Sequence, residues 1–166
     1  MLNVFPFLGL ALGATVSDPE ARAEQVMSRV AKEPVPSCET GHSEALANGV
    51  ITIKPGQTIC VSFQAQGDIL VPTAIVEASE KKETLVIRFW KEDSAGDMFL
   101  ALFNPFPSPL RYEAYMLLPD SSQHQHTSTC PVLSRRRNVE FWNIPVTELT
   151  ISNFKLLPES QATACR

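Results

Sequence analysis

Apolar and polar residues alternate along much of the chain after residue 50, which is the pattern of half-buried β-strands. Residues 50–53 and 59–63 alternate on either side of Pro55-Gly56. This combination predicts a β-hairpin, because proline presets the turn and glycine tolerates a positive φ at the next position. Residues 110–118 alternate in the same way, so we expect antiparallel strands with one face on a core.

Shorter segments separated by turn residues predict the other strands. Residues 98–103 are apolar at every position, which is typical of a strand that is covered on both faces. The remaining strands are expected at residues 70–76, 83–90, 139–142 and 149–157. Pro72 indicates either an edge strand or a bend, and Ser152-Asn153 indicates a bulge. These segments and their proline-rich corners predict an all-β fold, an antiparallel β-sandwich of about seven to eight short strands.

The segment before the strands has a different character. Residues 19–32 contain good helix formers, and four apolar residues there share one side of a helix: Ala21, Val26, Met27 and Val30. Two prolines in residues 33–36 then force an extended connection. Residues 24–36 are therefore interpreted as a linker or a short helix, followed by the β-sandwich domain at residues 37–166.

Residues 1–23 have the pattern of an export signal. The apolar stretch at residues 2–16 has no charge and is too short to span a hydrocarbon layer of about 30 Å. Ala11-Leu12-Gly13 and Ala21-Arg22-Ala23 are two candidate cleavage sites. Because no Lys or Arg precedes the apolar stretch, a structural N-terminal segment and a retained single anchor remain alternatives. We expect the signal to be removed, leaving a periplasmic or secreted chain without a transmembrane span.

The overall composition narrows the class of protein. The chain has 166 residues, of which 44% are hydrophobic and 19% charged, and this excludes collagen-like, strongly disordered and polytopic membrane chains. The length fits one domain with one core. The formal net charge is -4, so we expect no nucleic acid as the main partner.

The four cysteines are widely spaced and include no Cys-x-x-Cys pair, which excludes zinc-finger and thioredoxin-like sites. With an export signal they predict two disulfides in an oxidising compartment, and three connectivities are possible. Cys60 shares the outward face of its strand with Ser62, so it is free to hold Cys38. This favours a Cys38–Cys60 bond, with Cys130 tethering Cys165.

His124-Gln125-His126 is the clearest candidate for metal chemistry. On an extended segment both imidazoles project from one face, so they supply two ligands. A third ligand is needed, and the candidates are His42, Met116 and Asp120, of which the thioether favours copper. The alternative interpretation is a solvated loop, because serine and threonine residues flank the pair.

Other catalytic patterns are weak. Asp120, Ser122 and His124 lie close together in the sequence, which leaves a small hydrolase as an alternative, although there is no Gly-x-Ser-x-Gly elbow. Asp93 and Asp97 are interpreted as turn residues rather than as a calcium loop. No phosphate-binding or dinucleotide-binding glycine motif is present in the sequence. We expect no catalytic residues and no cofactor unless copper binds.

Two features are candidates for contact with a partner. Arg135, Arg136 and Arg137 form a compact basic run in an acidic protein, suited to an anionic surface or to a solvated loop. Phe106 lies between Pro105 and Pro107 in a loop that excludes regular structure. It is either a plug under the end of the sandwich or an exposed anchor for a partner.

These patterns lead to one main hypothesis and two alternatives. The main hypothesis is a non-enzymatic, exported, disulfide-stapled β-sandwich whose loops bind a macromolecular partner, either another protein or an envelope polymer. The first alternative is a copper-type periplasmic protein that uses His124 and His126. The second alternative is a small hydrolase.

Overall fold

The computed structural model describes residues 18–39, 41–77, 84–92, 96–162 and 164–165. The described residues form ten strands, one α-helix, α1 (Pro19–Val30), and two short 3-10 turns, Ser43–Ala45 and Glu159–Gln161. The strands are β1 (Leu46–Ala47), β2 (Val50–Ile53), β3 (Thr58–Gln66), β4 (Ile69–Val76), β5 (Thr84–Lys91), β6 (Met98–Phe103), β7 (Leu110–Leu117), β8 (Gln125–Thr127), β9 (Arg137–Trp142) and β10 (Glu148–Leu156). All pairings are antiparallel, which confirms the predicted all-β class with a short N-terminal helix.

The ten strands belong to one sheet that bends into two layers. One layer has the order β3-β5-β6-β9, and the other contains β1, β2, β10, β7 and β8. Strand β4 joins the layers, because it pairs with β3 along most of its length and with β10 through Ile69 and Lys155. Buried residues of both layers meet in one hydrophobic core, among them Ile59, Ile87 and Leu100 from the first layer and Ile51, Tyr112 and Ile151 from the second.

The predicted hairpin between β2 and β3 is wrong. The turn itself forms, with Gly56 at φ +95°, but β2 pairs with β1 and β10 while β3 pairs with β4 and β5. The Gly56 N–H donates to the Phe89 carbonyl at 2.8 Å, and the Phe89 N–H donates to the Gln57 carbonyl at 3.0 Å. The turn is thus held on β5, and Ile53 and Ile59 enter the same core from opposite layers.

Strand β6 is covered on both faces, as predicted, and all six of its residues are buried. Its inward residues belong to the main core, while Phe99, Ala101 and Phe103 belong to a second apolar cluster that includes α1. The helix contributes Ala23, Val26 and Val30. No helix among the described residues is long and apolar enough to cross a membrane.

The buried stripe of α1 differs from the prediction. Ala21 and Met27 are exposed. The buried residues are Ala23, Val26 and Val30, which have the i, i+3, i+7 spacing of one helix face. Asp18 caps the helix by accepting the Glu20 N–H at 3.1 Å. The candidate cleavage site at residues 21–23 therefore lies inside α1, whereas the candidate at residues 11–13 lies outside the described residues.

Two irregularities in the strands occur where the sequence predicts them. Between the Ser62–Ala74 and Phe63–Pro72 pairs, β4 has one extra residue, so the ladder shifts beside the proline. In β10 the register with β7 shifts after Ser152, and Asn153 adopts a left-handed φ of 54°. The strands that the sequence did not indicate are β1 and β8, which have two and three residues.

Candidate functional site

The two disulfides are Cys38–Cys60 and Cys130–Cys165, the connectivity that the sequence favours. Cys60 is fully buried on the outer face of β3, where it belongs to the cluster under α1. Cys165 is exposed, and its partner Cys130 is half-buried. One bond thus holds the segment after α1 to the first layer, and the other holds the C-terminal segment beside β8.

Asn104 organises the corner between β6 and β7. Its side-chain Nδ2 lies 3.0 Å from the carbonyl oxygens of Ser108 and Val132 and 3.1 Å from that of Leu133. Its Oδ1 accepts the Phe106 N–H at 2.9 Å. Because Asn104 is 3% exposed, these bonds form away from water, and one side chain fixes both the proline-rich loop and the segment before β9.

The segment before β9 is a turn that we call the arginine corner, residues 133–136. The Arg136 N–H donates to the Leu133 carbonyl at 3.1 Å, and the Arg135 N–H donates to the Phe106 carbonyl at 3.1 Å. The Arg136 carbonyl in turn accepts the Asn104 N–H at 2.9 Å. Leu133 is 48% exposed, and Arg135 and Arg136 are exposed as well. The corner therefore presents one apolar and two cationic side chains on a fixed backbone.

Arg137 does not belong to this exposed group, although the sequence grouped it with its two neighbours. Its guanidinium donates to the Val30 carbonyl and, at 2.7 Å, to the Glu33 carbonyl, both at the end of α1. It also lies 4.5 Å from the centre of the Phe103 ring. A cation at a helix C-terminus stabilises the exposed carbonyls there, so Arg137 fastens α1 to the sheet.

Of the two alternatives for Phe106, the structure shows the buried plug and not the exposed anchor. It is 6% exposed, and its ring meets Phe63 edge-to-face at 5.9 Å. Phe63 packs in turn on Phe154 at 4.9 Å. The Phe106 ring is therefore not available to a partner, whereas Arg135 and Arg136 in the adjoining arginine corner are exposed.

Strand β9 borders the arginine corner, and Glu140 on its inner face has an unusual environment. Glu140 Oε1 accepts three hydrogen bonds, from Asn138 Nδ2 at 2.7 Å, from the Cys130 N–H at 2.9 Å and from the Tyr112 hydroxyl at 3.3 Å. Burial raises the pKa of the Glu140 carboxyl, and the hydrogen bonds act in the opposite direction. Burial and the nearby Glu140 charge hold the pKa of the Tyr112 hydroxyl well above its ordinary value.

Glu140 and Trp142 link β9 to the other layer. The Trp142 Nε1–H donates to Thr127 Oγ1 at 2.8 Å, and Glu140 Oε1 accepts a hydrogen bond from the Cys130 N–H. These are side-chain bonds, whereas the opposite side of the sandwich is joined by backbone pairing through β4. The sheet is therefore open along the side between β9 and β8.

The two candidate metal ligands have other partners. His124 Nε2 lies 3.2 Å from Glu148 Oε1, and the His126 ring meets Tyr115 at 5.3 Å. Met116 cannot join them, because it stands opposite Gln125 and so lies on the other face of the sheet from His126.

His42, another of the proposed third ligands, contacts Gln57 at 3.1 Å and Glu39 at 3.1 Å. Within the described part of the chain, no three His, Cys, Asp or Glu side chains lie close enough together to hold a metal ion. Copper binding stays a prediction that rests on the two histidines, and copper titration of the full chain and of His126→Ala tests it.

The remaining catalytic candidates are also placed. His124 contacts Glu148, and Ser121 rather than Ser122 makes the local loop bond, with its hydroxyl donating to the Gln123 carbonyl at 2.8 Å. Asp97 is 4% exposed and pairs with Arg22 at 2.9 Å, so it anchors α1. Asp93 lies outside the described residues. Among the hydrogen bonds of the described residues, none joins Asp120, Ser122 and His124 to one another. The hydrolase hypothesis therefore stays a prediction.

Asn104 and Glu140 are two residues of this region whose roles the sequence pattern does not indicate. Asn104 directly precedes three prolines in a loop, where an asparagine side chain commonly supplies the bonds that proline cannot. Glu140 lies two residues before Trp142, so both side chains are on the inward face of the strand, where a charged residue is unusual.

No protein-family model, no curated protein and no solved structure matches this chain.

Proposed function

We propose that this protein is a non-enzymatic, exported, disulfide-stapled β-sandwich that binds an acidic macromolecular partner through the arginine corner. Two disulfides, and no membrane-spanning helix among the described residues, are compatible with export. The observation that carries the binding role is the exposure of Leu133, Arg135 and Arg136 on a turn that buried Asn104 holds in place.

A fixed turn supports binding because little conformational entropy remains to be lost when a partner docks. Arginine is enriched among the residues that dominate interfaces, and an adjacent apolar side chain adds buried area to a charged contact. In a protein of net charge -4, two exposed arginines side by side create a local positive field. We therefore assign the partner a negative charge at the contact.

Site-specific photo-crosslinking in the host of origin tests the binding role. A photoreactive residue replaces Leu133, and the matched control replaces Ile69, which is also an exposed apolar residue, 51% accessible, but lies on β4. We expect a discrete adduct at position 133 that disappears when Arg135 and Arg136 are both changed to Glu. Equal adducts at both positions, or none at position 133, would contradict the proposed surface.

The intact mass of the protein from its host tests the export role. We expect a chain shortened at its N-terminus, and we expect alkylation of its cysteines only after reduction. An uncleaved chain whose four cysteines alkylate without reduction would contradict export to an oxidising compartment. The crosslinking result would not depend on that outcome.

A further inference from the structure

Strand β9 is the long open edge of this sheet. It has six residues and, among the described strands, pairs with β6 alone. The other end strands, β1 and β8, have two and three residues, which is too short to template a stable pairing.

The hydrogen-bond pattern defines which backbone groups face outward. Asn104 and Arg136 are opposite each other and bond through the Asn104 N–H, so the bonded pairs continue at every second residue of β9. The alternate residues, Arg137, Val139 and Phe141, direct their N–H and C=O groups to the open side. Three donors and three acceptors thus stand in a row along this edge.

Among the described residues, the hydrogen bonds between β9 and the second layer use the side chains of Glu140 and Trp142. Both side chains lie on the inner face of the strand. Among the described strands, none pairs with the outward backbone groups of β9.

The charges beside β9 determine what kind of segment fits. Arg135 and Arg136 are exposed at the amino-terminal end of the strand. A segment that runs antiparallel to β9 has its carboxyl end at this point, so acidic residues there meet the two arginines.

We propose that β9 binds an extended segment of a partner protein by antiparallel strand addition, with the acidic carboxyl-terminal end of the segment beside Arg135 and Arg136. The inference rests on the proposed function and names the form of the partner. Backbone bonds to residues 137, 139 and 141 hold the segment, and the arginine corner selects its charge and direction.

Selection from a display library of random peptides of about twelve residues tests the proposal, since that length covers the six residues of β9. We expect the full chain to enrich peptides with β-forming residues followed by Asp or Glu near the carboxyl end. Val139→Pro removes one outward donor and is compatible with an edge strand, so it should lose the enriched peptides, whereas Val139→Thr keeps the N–H and should retain them. The double change of Arg135 and Arg136 to Glu should remove the acidic preference.

Amide hydrogen exchange on the unaltered chain gives an independent readout that does not depend on how a variant folds. The enriched peptide should slow exchange at Val139 and Phe141 by at least about tenfold, because both N–H groups become bonded. An enriched peptide that leaves these two amides unchanged, or a library with no difference between the full chain and Val139→Pro, would refute strand addition.

Sedimentation distinguishes the other occupants of this edge. A concentration-dependent dimer that Val139→Pro abolishes would show that β9 pairs with a second copy, and would overturn the proposal. If crosslinking at position 133 succeeds while the β9 amides stay unprotected, strand addition fails and the proposed function stands.

Discussion

Single polar side chains determine the shape of the region that we propose to be functional. Asn104 bonds to the backbone on both sides of one corner, and Glu140 bonds to the backbone of the opposite layer. Asn104 is buried and Glu140 is half-buried among apolar residues, where an unpaired polar group is costly and a paired one enforces a single arrangement. Their contributions to stability are separable by substitution.

Asn104→Ala should destabilise the protein by about 2–4 kcal/mol, because it removes the side-chain partners of the Phe106 N–H and the Ser108 carbonyl. It also removes one of the two donors to each of the Val132 and Leu133 carbonyls. Urea denaturation measures the change. The matched control is Asn143→Ala, which removes an exposed asparagine and should stay within about 0.5 kcal/mol. Equal effects of the two substitutions would show that the bonds of Asn104 contribute little.

Glu140→Gln should change the pH dependence of stability. The pKa of Glu140 is raised in the folded state, so the folded protein binds this proton more tightly than the unfolded chain does. The resulting stabilisation is complete below the ordinary carboxyl pKa and is lost as the pH rises through the raised value. Glutamine has no charge to bury, so the variant should gain stability relative to the natural protein across that window.

Urea midpoints at intervals between about pH 4 and about pH 8 measure this difference. Glu159→Gln is the control, because it removes one carboxylate from an exposed position and reports the effect of net charge alone. A difference between the natural protein and Glu140→Gln that stays constant over the range would contradict the assignment.

At the scale of elements, α1 acts as a third layer over β5, β6 and β9. Its residues Ala23, Val26 and Val30 cover the outer face of β6, and ion pairs fasten both ends of the helix: Arg22–Asp97 near the start and Arg29–Glu92 towards the end. The apolar contact of α1 contributes more to stability than the Arg29–Glu92 ion pair, because exposed ion pairs are weak.

Val30→Ala should lower the free energy of unfolding by about 1–3 kcal/mol, since the side chain is 1% exposed and its loss leaves a cavity. Met27→Ala, on the exposed side of the same helix, should change it by less than about 0.5 kcal/mol. Denaturation curves of the two variants check this, and a similar loss in both would mean that α1 does not pack through its buried stripe.

The elements also show what a sequence can predict. Strands β3, β7 and β10 follow from local alternation, β6 follows from an unbroken apolar run, and β5 follows from a short segment between turn residues. The bulge at Asn153 follows from a change of register within one strand. Pairing is different, because the partner of β2 depends on residues about a hundred positions away in β10. Likewise Arg137 is indistinguishable from Arg136 in sequence, and only the position of α1 separates a buried contact from an exposed one.

At the scale of the whole molecule, the disulfides differ in accessibility. Cys60 is fully buried, whereas Cys165 is exposed. The two bonds close loops with sequence separations of 22 and 35 residues, and chain entropy alone predicts about 3–4 kcal/mol of stabilisation from each.

Graded treatment with a small thiol should therefore reduce Cys130–Cys165 before Cys38–Cys60, because the attacking thiolate needs access to a sulfur. Alkylation followed by peptide mass measurement identifies the modified pair at each step. Modification of Cys38 and Cys60 first, or of all four cysteines together, would contradict the prediction and indicate that the protein opens globally before it reacts.

The positions of the cross-links have a mechanical consequence. The Cys38–Cys60 bond joins the first layer to the segment that follows α1, and the Cys130–Cys165 bond lies at the margin of the second layer. Neither disulfide therefore connects the two layers. With both disulfides formed, the contact between β9 and the second layer therefore still depends on the side-chain bonds of Glu140 and Trp142. Separating the two layers along this side would break those side-chain bonds but neither disulfide.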